Sequence, residues 1–238
     1  MKDLLNFRYE DYPFELFSLS HFTAIILLLV LIYLLFMYRN RLKNKGKNAA
    51  RWVLISLMVA GELFFHLWYG INDLWSLTIN LPFQLCSISL YLCILMLLTR
   101  NRFLFEIAFF TSMTGAFVAM LTPELFFGFP HLRYFQFFIV HAVIVLSCLY
   151  MIWVEGLTVT FSSLLKSFLV LNVIAAAVYG INLLLGANYM FLIHKPFNPS
   201  PIDYLGEYPW YLLSLEVISF TLFYLIYLPF QIKKTVKK

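Results

Sequence analysis

Apolar residues run in long unbroken stretches along this chain instead of alternating with polar ones. A half-buried strand alternates with period two, so continuous runs select helices over the strands of a membrane barrel. A helix that crosses a bilayer needs about 20 mostly apolar residues. Seven stretches read as crossings: 22–38, 52–69, 82–98, 103–121, 134–153, 164–185 and 209–231. The expectation is an all-α polytopic membrane protein, a seven-transmembrane helix bundle that forms a single domain over 1–238. Residues 1–20 read as an interfacial segment, 186–208 as an outer loop and 232–238 as a basic cytoplasmic tail.

Composition agrees. Of the 238 residues, 62% are hydrophobic and 12% charged, with a mean hydropathy of +0.83. A soluble domain carries about 25% charged residues, so this chain lacks the surface to face water. Residues 1–17 contain Asp3, Glu10, Asp11 and Glu15 and no apolar core before a small-residue cleavage site, so no cleavable signal is expected.

Basic residues set the sidedness. Arg39, Arg41, Lys43, Lys45, Lys47 and Arg51 fall in the first connection, Arg100 and Arg102 in the third, Lys166 in the fifth, and Lys233, Lys234, Lys237 and Lys238 in the tail. Lys2, Arg8, Arg133 and Lys195 fall on the other side. The positive-inside rule then puts the N-terminus outside and the C-terminus in the cytoplasm of a multi-pass cell-membrane protein. The net charge of +5 is a topology signal of this kind and calls for no nucleic acid.

Orientation turns sequence position into depth. Glu62 and His66, four apart on one helix face, fall in the middle and outer thirds of the second stretch. Gln84, Cys86, Ser87 and Ser89 open the third, His141 lies two turns into the fifth, Tyr179 and Asn182 end the sixth, Glu216 lies two turns into the seventh, and His21 tops the first. Polar groups at membrane depth cost free energy unless paired or facing a cavity, so one shared outer pocket is expected. Glu106 and Asn172 are the exceptions in the cytoplasmic half. Pro82 reads as the first residue of its helix, where its missing N–H costs nothing, which puts Cys86 about one turn below the surface. Singly, each histidine also reads as a helix-to-helix hydrogen bond, Glu62 with His66 as a structural pair, and Cys86 as a small buried hydrophobe. Cys93 and Cys148 read as packing. No cysteine spacing fits zinc, and Cys86 and Cys93 are two turns apart, too far to bridge. The loop at 186–208 is rich in proline; Asp203, Tyr204, Trp210 and Tyr211 there form either a lid or an interfacial collar.

The strings Phe17-Ser18-Leu19-Ser20-His21, Leu81-Pro82-Phe83-Gln84-Leu85-Cys86-Ser87, Phe137-Phe138-Ile139-Val140-His141, Asn188-Tyr189-Met190-Phe191-Leu192, Asp203-Tyr204-Leu205-Gly206 and Pro209-Trp210-Tyr211 resemble the YwaF family of bacterial integral membrane proteins, related to the transmembrane protein 164 acyltransferases. The resemblance implies movement of acyl chains between phospholipids, with Cys86 matching the suspected nucleophile and a phospholipid or lysophospholipid as partner. Many relatives carry a histidine where Gln84 stands, so a base here would be His141 or, second, His66, with Glu62 or Glu216 orienting the ring and Gln84 donating to an oxyanion. The pocket would be completed by Ser87, His21, Asn182 and Tyr204, and no cofactor or metal enters this chemistry. Two rival readings remain at this stage: a binding or transport protein for a small amphiphile, which needs no nucleophile, and a membrane subunit that works by assembly with protein partners.

Overall fold

The computed structural model describes residues 4–8, 10–197 and 200–235, with side chains to Ile232. The lysines of the expected basic tail therefore lie outside the described side chains. Seven α-helices follow in order: α1 (Leu19–Arg41), α2 (Lys47–Ile71), α3 (Leu85–Thr99), α4 (Arg102–Leu121), α5 (Leu132–Trp153), α6 (Phe161–Leu185) and α7 (Trp210–Thr235). Among the described residues the strand content is one isolated bridge, Pro13 with Phe127. Five helical stretches are long and apolar enough to cross a membrane: Leu19–Ile71, Arg102–Leu121, Leu132–Trp153, Phe161–Leu185 and Trp210–Ile232. The remaining apolar helix, α3, has only 15 residues. Residues 1–76 with 116–156 form one compact unit, and 77–115 with 157–238 form another.

In the first unit, the 53-residue stretch Leu19–Ile71 is two legs folded back on each other. The Tyr134 hydroxyl donates to the Ser20 carbonyl at 2.6 Å, and Trp153 meets Phe36 edge-on at 5.2 Å. So α1 and α5 run in the same sense. Tyr150 donates to the Lys47 carbonyl at 2.8 Å and Gln136 to the Gly61 carbonyl at 3.2 Å, so α2 runs the opposite way along α5. The reversal is a π-helical turn, Leu42–Gly46. Its sequence, Leu-Lys-Asn-Lys-Gly, has one apolar residue and ends on a glycine that favours leaving the helix. The sequence reads 39–51 as a basic connection between two crossings. Instead helical hydrogen bonding carries through the turn, and the Lys47 ammonium meets Glu155 at 2.6 Å.

Two glycines set close approaches in this unit. A Cβ on Gly61 would lie 2.3 Å from Val140 Cγ2, so α2 and α5 touch through a missing side chain. A Cβ on Gly128 would lie 2.4 Å from the Pro13 carbonyl oxygen. There Phe14 N–H donates to Phe126 O at 2.9 Å and Gly128 N–H to Tyr12 O at 2.6 Å. The N-terminal segment is thus fastened to the connection between α4 and α5.

In the second unit, two expectations are corrected. Helix α3 begins at Leu85 with Gln84 as its N-cap, and Pro82 sits in the preceding turn instead of at the first helical position. The helix is shortened because Leu77 to Gln84 finds its hydrogen bonds elsewhere, as described below. Asn172 and Glu216 were assigned to different depths, yet Asn172 Nδ2 donates to Glu216 Oε2 at 3.0 Å between α6 and α7. A direct bond puts both at one level. The other exception, Glu106, is buried against Arg102 at 3.2 Å and Lys166 at 3.9 Å. A Cβ on Gly115 would meet Leu85 at 3.3 Å, and Gly186 ends α6 in a left-handed conformation with φ +64. Gly180 has open space around it.

The Gly61 contact makes a prediction. Gly61→Ala should lower stability by about 1–3 kcal/mol, the usual range for overpacking. Val140→Ala, which removes the clashing methyl, should restore most of that loss. Thermal unfolding of the detergent-solubilised single and double variants checks both statements.

Candidate functional site

The lead-in to α3 is not helical, so its backbone groups need partners. Tyr189 supplies two of them. Its hydroxyl donates to the Leu77 carbonyl at 2.8 Å and accepts from the Leu81 N–H at 3.0 Å. Burial raises its phenol above its ordinary range, so the donating proton stays in place. Tyr189 is itself gripped at both ends of its peptide: Asn182 Oδ1 accepts from its N–H at 2.8 Å and Asn182 Nδ2 donates to its carbonyl at 2.9 Å. The next residues, Met190 and Phe191, are both left-handed, with φ 58 and 54. Such residues cost on the order of 1 kcal/mol or more each and persist when their surroundings hold them. Gln84 Oε1 accepts from the Met190 N–H at 2.9 Å, and the Tyr211 hydroxyl donates to the Phe191 carbonyl at 2.6 Å.

This clamp fixes the start of α3. Because a backbone N–H can only donate, the Gln84 atom facing Met190 is its oxygen, and its NH₂ group remains for another acceptor. Gln84 makes no side-chain cap, and the first intrahelical bond runs from Ile88 N–H to Gln84 O. Cys86 and Ser87, the second and third helical residues, therefore present backbone N–H groups that precede the helix's own ladder. Cys86 is half-buried, whereas Cys93 and Cys148 are buried, and none of the three is in a disulfide among the described residues. It shares a face of α3 with Ser89 and Cys93, three and seven residues on. That face is turned inward: Cys93 is fully buried with its thiol 3.6 Å from the Ser112 hydroxyl, and Ser89 is 1% exposed. The Ser89 hydroxyl has no hydrogen-bond partner among the described residues. Thr111 and Ser167 close back on their own helices, onto Ile107 O and Ser163 O, whereas the buried Thr114 hydroxyl, like that of Ser89, has no partner among the described residues. A different face of α3, from Ile88 to Leu95, lines with Ile174 to Ile181 of α6 an open apolar groove of about 320 Å³. Cys86 is not among its walls.

Tyr204 is 91% exposed, so its ring packs over nothing. Of the loop aromatics, Tyr211 is fully buried while Trp210 is largely exposed.

The remaining site candidates lie in the first unit. His141 is buried, and its Nδ1 lies 2.7 Å from the Phe137 carbonyl. A carbonyl only accepts, so Nδ1 carries the proton and Nε2 carries the lone pair. That Nε2 is buried with no partner among the described residues. His66 is the reverse. The Trp75 indole N–H donates to its Nδ1 at 3.1 Å, and its Nε2 faces Glu62 Oε1 at 3.4 Å. His21 accepts from Phe17 N–H at 3.1 Å and donates to Met120 O at 2.8 Å. His131, which the sequence pattern did not single out, accepts from Arg133 N–H and donates to Asn6 O at 3.0 Å. Three of these four histidines have both nitrogens engaged, and His21 and His131 serve as backbone ties. Among the described residues no three His, Cys, Asp or Glu side chains gather to hold a metal.

The TMEM164 family model matches residues 16–227. The chain belongs to the TMEM164 family. No curated protein and no solved structure matches it. For this TMEM164-family chain the five long apolar helical stretches and the family together give a multi-pass membrane protein.

Sequence reasoning gave Tyr189, the residue that ties the lead-in, no role beyond its place in a family-like string, because a tyrosine in an aromatic-rich loop does not show which backbone groups it reaches. Tyr189→Phe would leave the Leu77 carbonyl and Leu81 N–H unpaired. It should cost about 1–3 kcal/mol and raise the rate at which Cys86 reacts with a membrane-permeant maleimide. An unchanged melting point and an unchanged labelling rate would show that the clamp does not hold this helix start.

Proposed function

We propose that this protein is a membrane-embedded acyltransferase that moves acyl chains between phospholipids through Cys86. The observation that carries the reading is the placement of that thiol at the second position of a helix whose first turn is uncapped and braced by Gln84 and Tyr189. Helix N-termini offer N–H groups to developing negative charge. Membrane proteins use interrupted helices with such ends as binding sites.

The chemistry balances without a cofactor. A base takes the Cys86 proton, and the thiolate attacks the ester carbonyl carbon of a phospholipid. The carbonyl electrons move onto oxygen, where the Cys86 and Ser87 N–H groups and the Gln84 NH₂ are the donors we assign. The C–O ester bond then breaks, and the lysophospholipid alkoxide leaves with the proton the base received. An acceptor hydroxyl reverses the steps against the thioester and frees the thiol. His141 is the candidate base, on the state of its own ring: a neutral imidazole whose proton is fixed on Nδ1 keeps its Nε2 lone pair for a proton. We assign His66 with Glu62 to structure, since both ring nitrogens are already engaged.

On the same reading α3 crosses with its non-helical lead-in, and α1 and α2 cross separately. That gives seven crossings with the N-terminus outside and the C-terminus in the cytoplasm of a bacterial plasma membrane. A 15-residue helix rises only about 22 Å, against a hydrocarbon core of about 30 Å.

The groove between α3 and α6 favours one second reading, a protein that binds a lipid or other amphiphile without chemistry, since Cys86 does not line it. Reconstitution with labelled phospholipid and lysophospholipid separates the two. Cys86→Ala should abolish transfer, His141→Ala should lower it on the order of 100-fold or more, and His66→Ala should retain transfer within about tenfold. Transfer that persists in Cys86→Ala rejects the acyltransferase.

A further inference from the structure

We infer that Arg133 anchors the phosphate of a lipid headgroup. The inference borrows from the proposed function only that the ligand is a phospholipid; it does not depend on Cys86.

Arg133 is the second residue of α5. Its guanidinium donates to Gln136 Oε1 and lies against two rings, 4.8 Å from the Phe65 centroid and 5.3 Å from that of Trp68. Its Nε is buried with no acceptor among the described residues. No carboxylate there forms an ion pair with it. Glu62 is within electrostatic reach, but its carboxylate is turned to His66 at 3.4 Å. The neighbouring His131 is held neutral by burial, which lowers its pKa. So a permanently charged group with five N–H donors has one neutral side-chain acceptor and two aromatic walls.

That state is expensive in a membrane protein, where an intramembrane charge is paired or marks a ligand path. The missing element is an anion with more than one oxygen. The guanidinium fork matches phosphate in a two-bond geometry, and Arg133 sits on the first turn of α5, at the positive end of its dipole. Phosphate is also the anion that a bilayer supplies at the ends of its helices. The rings make the cradle rigid: Trp68 is itself pinned by its indole N–H to the Leu5 carbonyl at 2.7 Å. Gln136 is pinned to the Gly61 carbonyl at 3.2 Å, so the guanidinium is held in place before any ligand arrives.

The test is calorimetric titration of the full-length protein in an uncharged detergent with three probes: dihexanoyl phosphatidylglycerol, inorganic phosphate and dihexanoylglycerol. The phosphatidylglycerol should bind, the uncharged diacylglycerol should not, and inorganic phosphate should bind far more weakly than the lipid. Arg133→Gln should weaken lipid binding about tenfold, the value of a charge-assisted contact, and Arg133→Lys should weaken it because the charge stays and the fork is lost. Glu62→Gln, which removes the nearby competing carboxylate, should tighten binding. Equal binding of the lipid by the parent and both Arg133 variants overturns the assignment, as does equal binding of dihexanoylglycerol. Inorganic phosphate binding as tightly as the lipid overturns the headgroup source. Because the readout is binding, loss of this site and loss of acyl transfer are separate results.

Discussion

Peptide groups that leave a helix within a membrane protein must be hydrogen-bonded by the protein itself. In this chain that demand falls hardest on Leu77 to Gln84, the irregular lead-in to a helix of 15 residues. The Tyr189 hydroxyl answers it by joining the Leu77 carbonyl to the Leu81 N–H. Once that bond is made, much else is constrained. Tyr189 has to be held, which Asn182 does from α6, and the chain beyond it has to turn sharply, which it does through two left-handed residues. Gln84 becomes a bracket between the turn and the helix instead of a cap. The helix start is left uncapped, with a thiol on its first turn.

The same accounting sorts the histidines. A ring nitrogen facing a carbonyl must donate, and one facing an N–H must accept. Applied to the first unit, this gives His21, His66 and His131 a proton on Nε2 and both nitrogens engaged, whereas His141 has its proton on Nδ1 and a lone pair that no group among the described residues claims. Chemical role thus separates from mere presence. Four imidazoles lie in one unit, and hydrogen-bond directions engage both ring nitrogens in three of them.

The helices were legible in the sequence because hydrophobic burial in lipid is a property of long windows, and the apolar runs are long. What was not legible depends on single contacts. The basic connection after α1 reads as a break between two apolar stretches, yet helical bonding continues through Leu42–Gly46, where α1 and α2 both pack along α5. Pro82 looked like a helix start because it is permitted there, but Tyr189, over 100 residues away, captures the backbone around it first. Asn172 and Glu216 were placed by counting residues from the ends of their runs, which ignores how far α6 and α7 slide past each other; their 3.0 Å bond sets that register. Cys86 and His141 stand out in the sequence by residue type alone, while the Ser89 hydroxyl, without a partner among the described residues, and the state of each imidazole exist only in three dimensions.

The central claim is that the braced, uncapped start of α3 makes Cys86 an acceptor of acyl groups. The most direct measurement is intact-protein mass spectrometry after incubation with a defined phospholipid and no acceptor, followed by peptide mapping. The account predicts a single acyl adduct on the peptide containing Cys86, removed by neutral hydroxylamine as a thioester is. An unmodified Cys86 under conditions where lysophospholipid accumulates, or an adduct confined to another residue, would contradict it.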